Sequence, residues 1–292
     1  YLMWLSDKWK DYELLDCQGG ERLERWGKYM LIRPDPQIIW DCGRHVKEWS
    51  HPDGVYTRVG GGGSWQTGER LPEKWCISYG KMRFYVRPMG FKHTGLFPEQ
   101  AVNWDRMSSL IQSAGRPIKV LNLFAYTGGA TIACASAGAS VCHVDASRGM
   151  TMTARENAAL SGLADAHIRY IVDDCQKFAE RELRRGNRYD AIIMDPPSYG
   201  RGPSGEVWKL EENIHKFVSL TVKLLSDTPL FFLINSYTTG LSPLTMEYIL
   251  RLELHSRLGG ALESGELGLP VTSSGGVLPC GVSAWWTADS RR

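Results

Sequence analysis

The sequence predicts an α/β fold in which a mostly parallel sheet carries helices on both faces and a small β-rich domain precedes it. From residue 118 onward, short apolar runs alternate with segments of helical periodicity, which is the pattern of a parallel sheet. Before residue 89, short β-type runs alternate with glycine-rich turns, which is typical of a small antiparallel unit. The final segment is rich in glycine and ends in an apolar run, which favours a terminal antiparallel hairpin.

The β-rich domain is predicted over residues 1–88. We expect its strands at residues 29–33, 55–59 and 82–86, with glycine-containing turns between them. Seven of the eleven tryptophans of the chain lie in this domain. Tryptophan can fill the core of a small β domain or offer a stacking platform to nucleic-acid bases, and the core role is favoured for most of these residues.

A connecting segment is predicted over residues 89–115, with a helix that begins at Pro98 and ends before Gly115. Residues 116–292 form the predicted α/β domain. Its strands are expected at residues 118–124, 140–145, 168–173, 189–194 and 230–236. Its helices are expected at about residues 129–137, 148–161, 176–185 and 213–225, with another after Pro243.

Composition excludes several classes of protein. Hydrophobic residues make up 43% and charged residues 23%, which is typical of a globular chain and not of a disordered one. The net charge of +2 excludes a polybasic tail but permits a local basic groove. We find no membrane span and no secretion signal, so we expect a cytoplasmic protein without a membrane partner. The seven cysteines form no C-x-x-C pair, which argues against a metal site.

The segments after the predicted strands show a pattern typical of a site for a nucleoside-containing cofactor. The first strand leads into the turn Phe124, Ala125, Tyr126, Thr127 and Gly128. Gly128 permits close approach of a ligand, and the following helix start offers N–H donors to a carboxylate. Asp145, at the second strand end, suits the two hydroxyls of a ribose. Asp173 and Asp174, at the third, suit the amine of adenine.

A ribose, an adenine and an amino-acid head group together describe S-adenosylmethionine. A nicotinamide dinucleotide is the alternative, because its enzymes share the order of strand, turn and acid. Such an enzyme needs a G-x-G-x-x-G turn to hold the pyrophosphate, and the turn at residues 124–129 has too few glycines. The sequence therefore favours S-adenosylmethionine.

The turn after the fourth strand has the features of a reaction site. Pro196 and Pro197 fix the backbone and present carbonyl acceptors to a planar base. Asp195 can accept a hydrogen bond from a substrate nitrogen, and Tyr199 can stack on a ring. These four residues are the candidate catalytic residues.

Together these motifs resemble those of class I S-adenosylmethionine-dependent methyltransferases, and more narrowly the bacterial large-subunit rRNA methyltransferase group, which contains cytosine-5 and guanine-N7 enzymes. The resemblance rests on residues 122–129, Asp145, Asp174 and residues 195–199. Residues 92–100 also resemble the group's Lys-Thr-Gly segment, which lies over the cofactor.

This resemblance implies a Rossmann-like class I methyltransferase sheet and methyl transfer to a nucleobase of RNA, with rRNA as the expected partner. The expected cofactor-binding residues are Thr94, Gly95, Gln100, Phe124, Ala125, Tyr126, Thr127, Gly128, Asp145, Ala146, Asp173, Asp174 and Asp195.

Three features depart from the group. Ala101 stands where the group has an arginine, and the tryptophan-rich domain takes the place of a PUA-type RNA-binding domain. The cytosine-5 enzymes carry a cysteine after the fifth strand, whereas residues 235–240 contain no thiol. Methylation of a pyrimidine carbon needs a thiolate nucleophile. Either Cys280 supplies it from the terminal hairpin, or the acceptor is a nitrogen or an oxygen.

Two other functions remain open at this stage. One is a non-catalytic RNA-binding or assembly protein that retains the cofactor pocket, and the other is a methyltransferase that acts on a protein or a small molecule. The glycine-containing segment 200–205 predicts a lid that orders when substrate binds. The sequence does not predict the oligomeric state.

Overall fold

The computed structural model describes residues 2–60, 62–201 and 207–289. The chain divides into two compact units. The large unit consists of Tyr1–Trp4, Asn103–Leu267 and Cys280–Arg292, and the small unit consists of Leu5–Val102 and Gly268–Pro279. The division at residue 102 falls inside the segment 89–115 that the sequence assigns to a connection.

The strands are β1 (Met3–Leu5), β2 (Tyr12–Gln18), β3 (Glu21–Trp26), β4 (Tyr29–Pro34), β5 (Gly54–Val59), β6 (Gly62–Thr67), β7 (Trp75–Tyr79), β8 (Met82–Val86), β9 (Lys119–Leu123), β10 (Ser140–Asp145), β11 (Ile168–Val172), β12 (Ala191–Met194), β13 (Tyr199–Arg201), β14 (Val207–Lys209), β15 (Phe231–Ser236), β16 (Ala261–Pro270) and β17 (Val277–Thr287). The α-helices are α1 (Ala101–Ser113), α2 (Gly129–Ser136), α3 (Arg148–Leu160), α4 (Cys175–Arg184), α5 (Leu210–Thr221), α6 (Pro243–Leu250) and α7 (Ser256–Leu258). A π-helical turn, Arg251–His255, joins α6 to α7.

The large sheet has the strand order β1-β16-β17-β15-β12-β9-β10-β11. The five strands from β15 to β11 in that order are parallel, whereas β17 runs antiparallel to β15. This arrangement confirms the predicted fold class. The chain passes from β9 outward through β10 and β11 and then returns to β12 on the other side of β9. Ligands of doubly wound sheets bind at such a reversal, outside the carboxyl ends of the strands.

Helices cover both faces of this sheet. Because successive strand residues point to opposite sides, the strands contribute to two separate cores. Leu121 and Phe232 belong to a core cluster that also contains buried residues of α4, α5 and α6. Val120 and Leu233 belong to a second cluster, with buried residues of α1 and α2. None of the helices in the described ranges combines the length and the apolar character that crossing a bilayer requires.

The small unit contains a sheet of order β2-β3-β4-β5-β6 and the separate hairpin β7-β8. Trp26, Trp49 and Trp75 are buried. The indole N–H groups of Trp40 and Trp65 donate to the backbone carbonyls of Cys17 and Met89. These tryptophans therefore fill the core or hold loops in place.

Two segments differ from their predictions. Gly268–Pro279 belongs to the small unit and not to the predicted α/β domain of residues 116–292. The segment after the reaction turn forms the hairpin β13-β14, in which Tyr199 pairs with Lys209, and α5 begins directly after it at Leu210. The glycine, proline and serine residues of this segment are typical of a loop, so the sequence does not predict the two short strands at its ends. Residues 202–205 of the predicted lid lie outside the described residues.

Candidate functional site

Strand register brings the ends of the central strands to one edge of the large sheet. Leu123, the last residue of β9, pairs with Val144 of β10 and with Met194 of β12. Asp145 pairs with Val172, the last residue of β11. The residues that follow these strands are the predicted site residues, and they lie side by side in the large unit.

The cofactor turn, residues 124–128, has a strained backbone. Phe124, Tyr126 and Gly128 have φ values of 54°, 51° and 88°, a region that favours glycine. The turn persists because its amides are held: Ala125 N–H donates to the Val144 carbonyl, and Phe124 N–H donates to the Cys175 Sγ. Strain of this kind occurs at ligand-binding sites when the surrounding structure enforces it.

Asp145 is bonded to the cofactor turn. Its Oδ2 accepts from the N–H of Tyr126 at 2.9 Å, and its Oδ1 accepts from the N–H of Ser147 at 2.8 Å. Burial raises the pKa of Asp145 above its usual value, and the two N–H bonds oppose that rise. A carboxylate offers about four acceptor positions, so two remain for the hydroxyls of a ribose. The neighbouring Ala146 is exposed.

Gly128 and Gly129 are required by packing inside the large unit. A Cβ atom on Gly128 would lie 2.9 Å from the Cβ of Ala154, and one on Gly129 would lie 2.6 Å from the Cζ2 of Trp104. Thr127 is 1% exposed, and its carbonyl accepts from the Asn157 amide. The glycines therefore fix where α2 begins, and its first N–H groups lack partners within the helix.

The two acids after β11 take part in contacts of their own. Asp174 caps α4, because its Oδ1 accepts from the N–H of Lys177 at 2.9 Å. Asp173 pairs with Arg181 and accepts from the N–H of Asp174. Both acids are half-buried at the sheet edge, where each retains acceptor positions for an amine.

The reaction turn is anchored by Trp208, a tryptophan that the sequence pattern does not connect with the site. The Trp208 Nε1 donates to the Pro197 carbonyl at 2.7 Å, which occupies one of the two expected acceptors. Pro196 is buried, Asp195 is half-buried, and Tyr199 is 53% exposed. The Asp195 N–H donates to the Leu123 carbonyl, so the turn begins beside the end of β9.

An aromatic cluster joins the cofactor turn to the reaction turn. Its members are Phe124, Trp208 and Phe217, whose ring centroids lie 5.4 to 5.7 Å apart. Two of the contacts are edge-to-face, a favourable arrangement of aromatic rings. The sequence singled out Phe124, but the spacing of the three residues does not reveal the cluster.

A buried polar network lies behind the end of β15. The Asn103 Nδ2 donates to the Asn235 Oδ1 and to the Ser283 Oγ, and the Trp285 Nε1 donates to the Asn103 Oδ1. The Ser283 Oγ donates to the Asn235 Oδ1 at 2.6 Å. All four residues are buried, so the network fixes the end of β15 against α1 and β17.

Three expected cofactor residues lie in the small unit. Thr94 and Gln100 are buried, and Gly95 has a φ of 92°. The Thr94 Oγ1 donates to the Leu96 carbonyl at 3.5 Å. Their role at the cofactor stays a prediction.

The donors and acceptors of the large unit fit S-adenosylmethionine. Asp145 supplies a half-buried carboxylate with open acceptor positions, and the start of α2 supplies N–H donors to a carboxylate. Within the described residues, no group of three or more histidine, cysteine or acidic side chains is placed to hold a metal ion.

A Rossmann-like sheet with these strand ends defines a class I methyltransferase. The chain belongs to the S-adenosylmethionine-dependent methyltransferase family, whose sequence profile matches residues 19–241. A crystal structure of the S-adenosylmethionine-dependent methyltransferase from Agrobacterium tumefaciens superimposes with a TM-score of 0.92. It is 36% identical, and the match covers 98% of this chain and 93% of that one. The predicted enzyme class and cofactor are confirmed.

Two rRNA methyltransferases are similar in sequence to part of this chain. Ribosomal RNA large subunit methyltransferase K/L of Shewanella frigidimarina is 32% identical over 160 residues, which is 54% of this chain and 22% of that protein. The protein of the same name from Methylococcus capsulatus is 36% identical over 124 residues, which is 42% of this chain and 16% of that protein. The match thus spans about a fifth of the length of these relatives.

Proposed function

We propose that this enzyme transfers the methyl group of S-adenosylmethionine to a nitrogen or oxygen atom of an RNA nucleobase, with rRNA as the favoured substrate. The observation that carries the proposal is the attachment of the Asp195 turn to the cofactor turn through Trp208 and Phe124. The rRNA methyltransferases to which the chain is similar support RNA as the substrate class.

On the cofactor side, each residue has a separate task. Asp145 accepts from the ribose hydroxyls, Asp173 and Asp174 accept from the adenine amine, and the first N–H groups of α2 bind the carboxylate of the amino acid. When bound, S-adenosylmethionine supplies an electrophilic methyl group on a sulfonium. The chain contributes by holding that methyl group at the edge of the sheet beside the reaction turn.

On the acceptor side, the reaction turn orients a base. The Asp195 carboxylate and the Pro196 carbonyl are the acceptors offered to a donor group of the base, since the Pro197 carbonyl is taken by Trp208. The ring of Tyr199 is 53% exposed, and in this proposal it stacks on the base. A nitrogen or oxygen lone pair would bond to the methyl group in line as the bond between methyl and sulfur breaks, with S-adenosylhomocysteine as the leaving group. Catalysis therefore rests on positioning, and a proton on the acceptor atom would pass to the Asp195 carboxylate.

The surroundings of β15 argue against a carbon acceptor. Carbon methylation of a pyrimidine needs a nucleophile that reaches the base. Asn235 is held in the polar network, and Ser236 is 1% exposed and accepts from the N–H of Thr238. Cys280 lies on β17 near this edge but is 5% exposed. This supports direct attack by a lone pair.

The test is transfer of label from methyl-labelled S-adenosylmethionine to rRNA isolated from cells that lack this gene. We expect label that ribonuclease releases and protease does not, and loss of labelling with the Asp195→Ala variant. Label in the protein or small-molecule fraction would favour a different acceptor class. Cofactor binding without label in any fraction would favour a non-catalytic RNA-binding or assembly protein.

A further inference from the structure

Phe91 is the most exposed aromatic side chain among the described phenylalanine, tyrosine and tryptophan residues of the chain. Its exposed fraction is 74%, compared with 38% for Trp40, the most exposed tryptophan of the small unit. An exposed phenylalanine loses the free energy that burial would provide, so it contributes little to the fold. Phe91 therefore has no evident structural task in the small unit.

The backbone that carries Phe91 is strained. Phe91 has φ 58° and ψ 43°, and the next residue, Lys92, has φ 67°. Neither residue is a glycine, and consecutive residues in the left-handed region are costly for L-amino acids. Such conformations persist where the surroundings enforce them, and they occur preferentially at ligand-binding sites.

Hydrogen bonds from the small unit enforce this conformation. The Met89 N–H donates to the His93 carbonyl, which closes the turn, and the Met89 carbonyl accepts from the Trp65 Nε1 at 2.8 Å. The Lys92 carbonyl accepts from the Arg33 Nη1, and the Lys92 Nζ donates to the Pro34 carbonyl. These hydrogen bonds fix the conformation of the turn, from which the Phe91 ring faces outward.

Cationic side chains lie near Lys92 in the turn that carries Phe91. Arg58 and Arg87 are exposed, and Arg87 stands at the base of the turn. Burial lowers the pKa of Lys92 to about 8, with Arg22, Arg33 and Arg58 contributing to that shift and Asp35 opposing it. Positive charge is therefore concentrated around Lys92, the residue that follows Phe91.

The acids nearby are committed to other partners. Asp35 pairs with Arg22 at 2.5 Å, and Glu24 pairs with Arg33 at 2.6 Å. An exposed aromatic ring next to cations is the combination that binds single-stranded nucleic acid, because a base stacks on the ring while phosphates contact the cations.

We propose that Phe91 is a base-stacking contact for single-stranded RNA and that Arg58, Arg87 and Lys92 bind the adjacent phosphates. This inference rests on the proposed function, since it assumes that the enzyme binds RNA. It assigns RNA contact to a phenylalanine turn of the small unit, whereas the tryptophans there are used for packing and for holding loops.

The test uses the full chain and a fluorescent single-stranded RNA of roughly 12 nucleotides, with binding followed by anisotropy at low salt. Phe91→Gly removes the ring and suits the positive φ, so this variant should fold at least as stably as the unmodified protein. Phe91→Trp keeps a stacking surface. Ile39→Gly is the matched control, because Ile39 is 90% exposed in the same unit and lacks an aromatic ring.

We expect Phe91→Gly to weaken RNA binding by at least about fivefold, with Phe91→Trp and Ile39→Gly close to the unmodified protein. Arg58→Gln should lower the slope of log affinity against log salt by about 0.7. Unchanged RNA affinity in Phe91→Gly would overturn the inference and leave the proposed function intact. Failure of the unmodified protein to bind RNA would instead overturn the proposed function, and this inference with it.

Discussion

Tyr126 donates its backbone N–H to the Oδ2 of Asp145 at 2.9 Å, which joins the cofactor turn to the end of the second parallel strand. Tyr126 has a φ of 51°, so the bond helps to hold a strained residue. The acid that the sequence assigns to the ribose therefore also shapes the turn. One carboxylate organises two parts of the proposed cofactor site.

Asp145→Asn should weaken S-adenosylmethionine binding by at least about tenfold, and Asp145→Ala should weaken it more. Hydrogen bonds to a charged group contribute about 1.5–3 kcal/mol each, and the amide retains one acceptor oxygen while the methyl group retains none. Titration calorimetry measures the affinity. Asp165→Asn, an exposed acid in the loop before β11, is the control. Native affinity in Asp145→Ala would remove this residue from the site.

Substitution of Trp208 should lower turnover more than it lowers cofactor affinity. Trp208→Ala removes both the bond to the Pro197 carbonyl and the contact with Phe124, so the reaction turn loses its anchor. We expect kcat to fall by roughly 10- to 100-fold, because small misplacements of reacting groups are costly. Trp208→Phe keeps the ring contact, so its kcat should fall by only about fivefold. Equal kcat values for the two variants would contradict the anchoring role.

Loss of the Asn103 side chain should destabilise the large unit. Asn103→Ala leaves the buried Trp285 Nε1 without its acceptor and removes two bonds behind β15. The expected loss in the free energy of unfolding is about 2–4 kcal/mol, measured by urea denaturation. Gln112→Ala, at an exposed position of the same helix, should change it by less than about 0.5 kcal/mol. A similar small change in Asn103→Ala would show that the network is dispensable.

His143 should make stability depend on pH. Burial lowers the pKa of His143 in the folded state to about 4, below its unfolded value of 6.5. The Asn122 Nδ2 donates to the Thr131 Oγ1, and the Thr131 Oγ1 forms a hydrogen bond with the His143 Nδ1 at 2.8 Å. Because the unfolded state takes up the proton first, this contribution is complete above pH 6.5 and is lost as the pH falls towards 4.

The expected loss from His143 is up to about 3 kcal/mol over that interval. Urea unfolding at several pH values measures it, and His143→Gln should show a shallower decline than the unmodified protein. If the two free-energy profiles run parallel from pH 7.5 to 4.5, the assignment to His143 is wrong.

The sequence predicts the sheet well because its signals are local. The alternating apolar and helical periods locate the five parallel strands within a few residues, and Asp145 and Asp195 lie at strand ends as expected. A sheet with this strand order then places those acids on one edge. Local pattern and general topology are therefore enough to locate most of the candidate site.

Contacts between distant parts of the chain cannot be predicted in this way. Asn103 forms a hydrogen bond with Ser283, which lies 180 residues later in the sequence, and no local periodicity predicts that contact. Trp208 lies in a segment rich in glycine and proline, where hairpin β13-β14 forms because its strands pair with each other. The turn that exposes Phe91 is held by hydrogen bonds from the side chains of Arg33 and Trp65 to the backbone carbonyls of Lys92 and Met89. Only the folded unit reveals these bonds.

Identification of the methylated atom distinguishes a nitrogen or oxygen acceptor from a carbon acceptor. Labelled rRNA from the transfer reaction is digested to nucleosides, and the modified nucleoside is identified by mass spectrometry against standards. We expect a nucleoside methylated on nitrogen or oxygen, produced equally well by the unmodified enzyme and by Cys280→Ala. A 5-methylcytidine product that disappears in Cys280→Ala would contradict it, because a thiol nucleophile would then be part of the site.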